Sequence, residues 1–129
     1  MRFLVMVKPN KGEVARYEGG SFPENFSDDI ARMGAFNETL VDAGMLLDMG
    51  GLTPTSKGTR IDYSGAKPKI IDGPFTETKE LVAGFWLLEA PSKEELVARL
   101  LQCPFQYGES IEIRPLFTEA DIEGFLKGG

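Results

Sequence analysis

The densest run of reactive side chains is Asp72-Gly73-Pro74-Phe75-Thr76-Glu77-Thr78-Lys79-Glu80, which leads into Leu81 and on to Trp86. Asp72 or Glu80 could take a proton as a general base, and Lys79 could hold negative charge as it develops. Thr76 adds a hydroxyl, and Trp86 would form an apolar wall beside it. The same residues also have a purely structural reading. Aspartate and threonine bond readily to nearby backbone amides in turns, and Lys79 with Glu80 would make a solvated pair worth little. Gly73 is expected to free φ beside a proline that fixes its own. A second constellation is Glu112 and Arg114, and a third is Arg60, which would suit an anionic ligand.

Composition limits the chemistry further. The chain of 129 residues contains no histidine and one cysteine, Cys103. No Ser-His-Asp or Cys-His arrangement can therefore be built, and no imidazole can bind zinc or move protons near neutral pH. A lone cysteine excludes an internal disulfide and a thiolate-rich metal cluster. Neither a metal nor a cofactor is expected. Against 20 Asp and Glu there are 14 Lys and Arg, a net charge of −6. That balance speaks against nucleic acid and against an anionic membrane surface as partners. The apolar run Phe3 to Val7 is too short for a signal sequence or a span, so a cytoplasmic location is expected.

These side chains must be positioned by the surrounding elements. Phe3 to Val7 reads as a strand apolar on both faces. Residues 9–26, rich in Gly, Pro and charge, read as a long loop. Ser27 is the expected N-cap of a helix carrying Ile30, Met33, Phe36, Leu40 and Val41, with Gly44 ending it. Met45 to Leu52 reads as a strand broken near Gly50-Gly51. Residues 60–63 and 69–71 form a hairpin around Ser64-Gly65-Ala66. Leu81 to Leu88 is the next strand, Ser92 opens a capping box for a second helix, and Ser110 to Leu116 alternates as the last strand. Thr118 could cap a short final helix.

The order predicts one α+β domain over 1–129, a ferredoxin-like antiparallel sheet with helices on one face. The first strand sets Phe3, Val5 and Val7 opposite Leu4 and Met6, and Leu81–Leu88 sets Leu81, Ala83, Phe85 and Leu87 opposite Val82, Trp86 and Leu88. Both sheet faces are therefore apolar, with Glu112 and Arg114 on the one away from the helices. Such an apolar face calls for cover, and a second copy related by a two-fold axis is the economical one.

Across nearly the whole chain the sequence resembles the YCII-related family, in the branch named for Asp-Gly-Pro-Phe. Lys57 to Arg60, Ile71 to Leu81, Gly84 to Leu87, Ser92 to Glu95, Cys103-Pro104 and Ile111 to Arg114 carry the likeness. The resemblance implies a subunit that pairs into a dimeric α/β barrel, with a cleft near the dimer interface. Similar sequences commonly read Gly-Glu-Gly-Leu followed by histidine where this one has Met49-Gly50-Gly51-Leu52 and Thr53. An acid–base pair using that histidine is therefore absent. The favoured expectation is a homodimer binding a small molecule through Arg60, Asp72, Thr76, Lys79, Trp86, Glu112 and Arg114. The alternatives are an enzyme using Asp72 or Glu80 on a small anionic or carbonyl-containing substrate, and a non-catalytic interaction module.

Overall fold

A computed structural model describes residues 1–10, 14, 18–19, 26–75, 81–105 and 109–128. Among these the elements run β1 (Arg2–Lys8), α1 (Phe26–Asp42), β2 (Leu46–Gly51), a 3-10 turn (Thr55–Lys57), β3 (Thr59–Asp62) and β4 (Lys69–Asp72). They continue with β5 (Gly84–Glu89), α2 (Lys93–Leu100), β6 (Ser110–Pro115) and α3 (Glu119–Gly128). Four strands form an antiparallel sheet in the order β2-β5-β1-β6, while β3 and β4 pair separately as a hairpin. Apart from that hairpin and α3, this is the ferredoxin-like β-α-β-β-α-β arrangement.

Strand alternation decides what enters the core. Phe3 and Val5 of β1 and Trp86 and Leu88 of β5 are buried against Phe36 and Leu40 of α1 and Leu96 and Leu100 of α2. Ile111 and Ile113 of β6 pack on the same cluster. The intervening residues Leu4, Met6, Phe85 and Leu87 face away from the helices and are only half-buried. They share cross-strand rows with the outward side chains of β6, since Leu4 pairs with Arg114 and Met6 with Glu112.

Local signals account for most element ends. Gly44 takes φ of 69°, its N–H donates to the Val41 carbonyl, and Met45 N–H donates to that of Leu40. This double bond pattern satisfies carbonyls that the end of α1 leaves open, and it returns Met45 to the core. Ser92 Oγ accepts from Glu95 N–H at 3.2 Å, capping α2 as its sequence predicts. Thr118 and Asp121 cap α3 reciprocally, at 2.9 and 3.0 Å.

Three expectations need correction. Helix α1 begins at Phe26, so Ser27 lies in its first turn and is not its N-cap. Within the segment read as a long loop, Val14 and Glu18 are helical and Val14 is buried. The strand expected from Leu81 begins at Gly84, although Ala83 extends the ladder by donating to Val7 and accepting from Leu52. Helix α3 buries none of its residues, and Ile122, Phe125 and Leu126 all stand exposed. Among the described residues no helix is long and apolar enough to cross a membrane.

Candidate functional site

The Asp-Gly-Pro-Phe motif turns out to fasten one part of the fold to another. The β3–β4 hairpin lies beside the 3-10 turn, and the motif closes the two together. Gly73 N–H donates to the Gly58 carbonyl at 2.9 Å, and Phe75 N–H donates to Thr55 Oγ1 at 3.0 Å. Thr55 is the hub of this clasp. Its own N–H and hydroxyl both donate to the Glu18 carboxylate, which reaches in from far along the chain. The peptide bond between Gly73 and Pro74 is cis. Gly73 is required for space: a Cβ there would sit 1.7 Å from the Thr55 carbonyl oxygen. Its φ is not positive, so the expected freedom of φ is not the reason for glycine.

The clasp walls a cavity of about 320 Å³, lined by Leu52, Thr53, Pro54, Thr55, Gly58, Arg60, Phe75, Leu81 and Val82. That volume is at the small end of ligand sites, and the lining is mostly apolar, as such sites usually are. Arg60 is the only charged residue among these. Its guanidinium stacks over the Phe75 ring, 3.9 Å from the centroid.

The expected site residues separate into groups. Arg60 lines the cavity. Asp72, at the end of β4, is exposed and accepts a hydrogen bond from Thr59 Oγ1 across the hairpin at 3.0 Å. Thr76, Lys79 and Glu80 lie outside the described residues. Trp86, expected as a cavity wall, is instead part of the core and 4% exposed. Its indole N–H donates to Asn37 Oδ1 at 3.0 Å, and Phe36 and Phe105 each stand 6.0 Å away, centroid to centroid. The alternation in β5 already placed Trp86 opposite Phe85 and Leu87; which of the two faces the helices cover only the fold shows.

Glu112 and Arg114 lie on the open sheet face, as their alternation predicts. Lys8 Nζ meets Glu112 Oε1 at 2.9 Å and Arg114 meets Glu112 Oε2 at 3.5 Å. The hydrogen bond and charge of Lys8, followed by those of Arg114, hold the Glu112 carboxyl below the usual carboxylate range. The hydrogen bonds of Ser64 do the same for Asp62. Burial, helped by the charge of Glu109, pushes the Cys103 thiol up to about 12, far from the thiolate a nucleophile needs. Among the described residues no group of three or more metal-ligating side chains occurs.

Thr55 and Glu18 escaped the sequence reading, since neither carries a local signal and they are brought together only by the fold. Phe75 was visible as part of the motif, but its stacking partner was not. A larger cavity of about 520 Å³ lies between Met1, β6 and α3. The carboxylate lining it, Asp121, is occupied in capping α3.

Comparison with known proteins adds three findings. The model of the YCII-related domain matches residues 1–119. An uncharacterised protein of Rhizobium meliloti (strain 1021) is 35% identical over 86 residues, covering 65% of this chain and 69% of that protein. Among solved structures, 5-chloro-2-hydroxyhydroquinone dehydrochlorinase from Burkholderia phenoliruptrix AC1100, in complex with 2,5-dihydroxybenzoquinone, covers 94% of this chain and 99% of its own. That match has a TM-score of 0.43 and 19% identity. With its model matched over all but the last ten residues, the chain belongs to the YCII-related family.

Proposed function

We propose that the protein is a small-molecule binder that uses the cavity between the 3-10 turn and the β3–β4 hairpin. The observation that carries this is a cavity whose described lining is mostly apolar with one charged side chain, Arg60, at its wall beside the Glu18–Thr55–Phe75 clasp. Binding is favoured over acid–base chemistry because four candidate acids and bases among the described residues are engaged elsewhere. Asp72 is tied to Thr59, Glu112 to Lys8 and Asp62 to Ser64, and Cys103 stays protonated at neutral pH. A fragment screen read by amide chemical shifts is the test. Hits should move the amides of Thr55, Gly58, Phe75, Leu81 and Val82 together. A screen in which no fragment moves that set removes the proposal.

A second copy of the chain is proposed as the cover of the open sheet face. Leu4, Met6, Phe85 and Leu87 form an apolar strip there, with the Lys8–Glu112–Arg114 cluster at the β6 edge. Asp48 shares the Leu87 row at the opposite, β2 edge. A two-fold axis parallel to the strands lays the β6 edge of one copy over the β2 edge of the other, so Arg114 approaches the second copy's Asp48. The cavity lies where β2 ends and β5 begins, beside that face. Sedimentation at micromolar concentration should give twice the chain mass, and Leu87→Arg should give the single mass with α1 and α2 still folded. A wild-type monomer at that concentration defeats the pairing.

A further inference from the structure

We infer that the ligand class of the cavity is a monocarboxylate on a compact apolar body, gripped by Arg60; this rests on the binding role proposed above. A guanidinium is flat, with its five N–H donors in the plane and its polarisable faces above and below. Phe75 covers one face of Arg60 at 3.9 Å, which satisfies the surface the group hydrates most weakly and fixes the plane of the fork. The donors at its edge are left out of that stack. Among the described residues no carboxylate forms an ion pair with Arg60, in contrast to Lys8, Arg32 and Arg114, each of which has one.

A preset fork whose edge donors meet no carboxylate among the described residues matches the two oxygens of a carboxylate in a bidentate pair. The other described lining residues select the rest of the molecule. Leu52, Leu81, Val82 and Phe75 offer apolar contact and carry no second charge, so a body with further charges would lose hydration without a partner. Among the described lining residues a doubly charged phosphate would meet a single cation, whereas a carboxylate is matched one for one. The volume of about 320 Å³ suits a body the size of one ring.

Benzoate and benzamide, equal in shape and differing in charge, make the test on the full chain. Benzoate should shift the Thr55, Gly58, Phe75, Leu81 and Val82 amides, and benzamide should bind about 10- to 100-fold more weakly, the difference a charge-assisted pair makes. Arg60→Gln should weaken benzoate by a similar factor and leave benzamide unchanged. Arg60→Lys, which keeps the charge but not the fork, should fall between. The unshifted remainder of the spectrum shows that each variant is folded. Equal binding of the two probes, or benzoate binding untouched by Arg60→Gln, overturns the carboxylate assignment and leaves the cavity as a binding site. If neither probe binds while uncharged fragments do, the assignment also falls alone. If nothing binds there, both readings fall.

Discussion

Gly73→Ala is expected to lower the midpoint of thermal unfolding by roughly 10 °C, the equivalent of about 3 kcal/mol in a domain of this size. The added methyl carbon would lie 1.7 Å from the Thr55 carbonyl oxygen and 2.7 Å from its carbonyl carbon. Both atoms are backbone, so no side chain can rotate away; the hairpin or the 3-10 turn must move. Movement breaks the Gly73–Gly58 and Phe75–Thr55 hydrogen bonds, at about 1 kcal/mol each, and separates Arg60 and Phe75 from the opposite cavity wall. Gly51→Ala is the matched control, because a Cβ there meets nothing within 4 Å. A Gly73→Ala protein that melts with the wild type and keeps its Thr55 and Gly58 amide shifts would show that the clasp does not hold the hairpin.

Trp86→Ala is expected to cost about 3–5 kcal/mol, the range for removing a large buried aromatic. Three losses combine. The indole leaves a void between Phe36 and Phe105, its tilted contact with Phe36 and edge-on contact with Phe105 disappear, and the Asn37 amide is left facing an apolar space. Trp86→Phe should cost less, because a ring still fills most of the space and the loss is the hydrogen bond and a smaller void. Denaturant unfolding of the two variants, together with Asn37→Ala and the double variant, isolates the indole–amide coupling at about 1 kcal/mol. The result also separates core from site. As the chain's single tryptophan, Trp86 should give blue-shifted emission that acrylamide quenches poorly, and Trp86→Phe should keep ligand affinity. An easily quenched indole, or lost affinity in a stable Trp86→Phe protein, would return Trp86 to the binding site.

The contrast between these residues shows what could be read from the chain in advance. Alternation in β1, β5 and β6 fixes which side chains share a face, so Glu112 and Arg114 were correctly set apart from Ile111 and Ile113. Ser92 and Gly44 also worked as local signals, because a cap interacts within its own few residues. Contacts across long stretches of chain were not readable. Nothing near Thr55 points to Glu18, and nothing near Asn37 points to Trp86. Gly73 illustrates the limit most clearly. Its presence in a turn suggested a backbone angle, while the fold demands it for the approach of another turn. The candidate site was therefore legible as a motif and as Arg60, but its walls depend on which segments the sheet brings together.

The position of β1 has a consequence for how the protein is made. β1 is made before the other strands of its sheet yet occupies an inner place in it, and both of its neighbours, β5 and β6, follow only after α1, β2 and the β3–β4 hairpin. At about 5–20 residues per second, Phe3-Leu4-Val5-Met6-Val7 waits several seconds or more with both hydrogen-bonding edges bare. During that time it is the most adhesive segment of the nascent chain, apolar on two faces and able to pair with any passing strand. The sheet closes only once Pro115 has emerged, so its folding waits on its last strand, and a message truncated before β6 would yield a product with an unprotected strand at its centre.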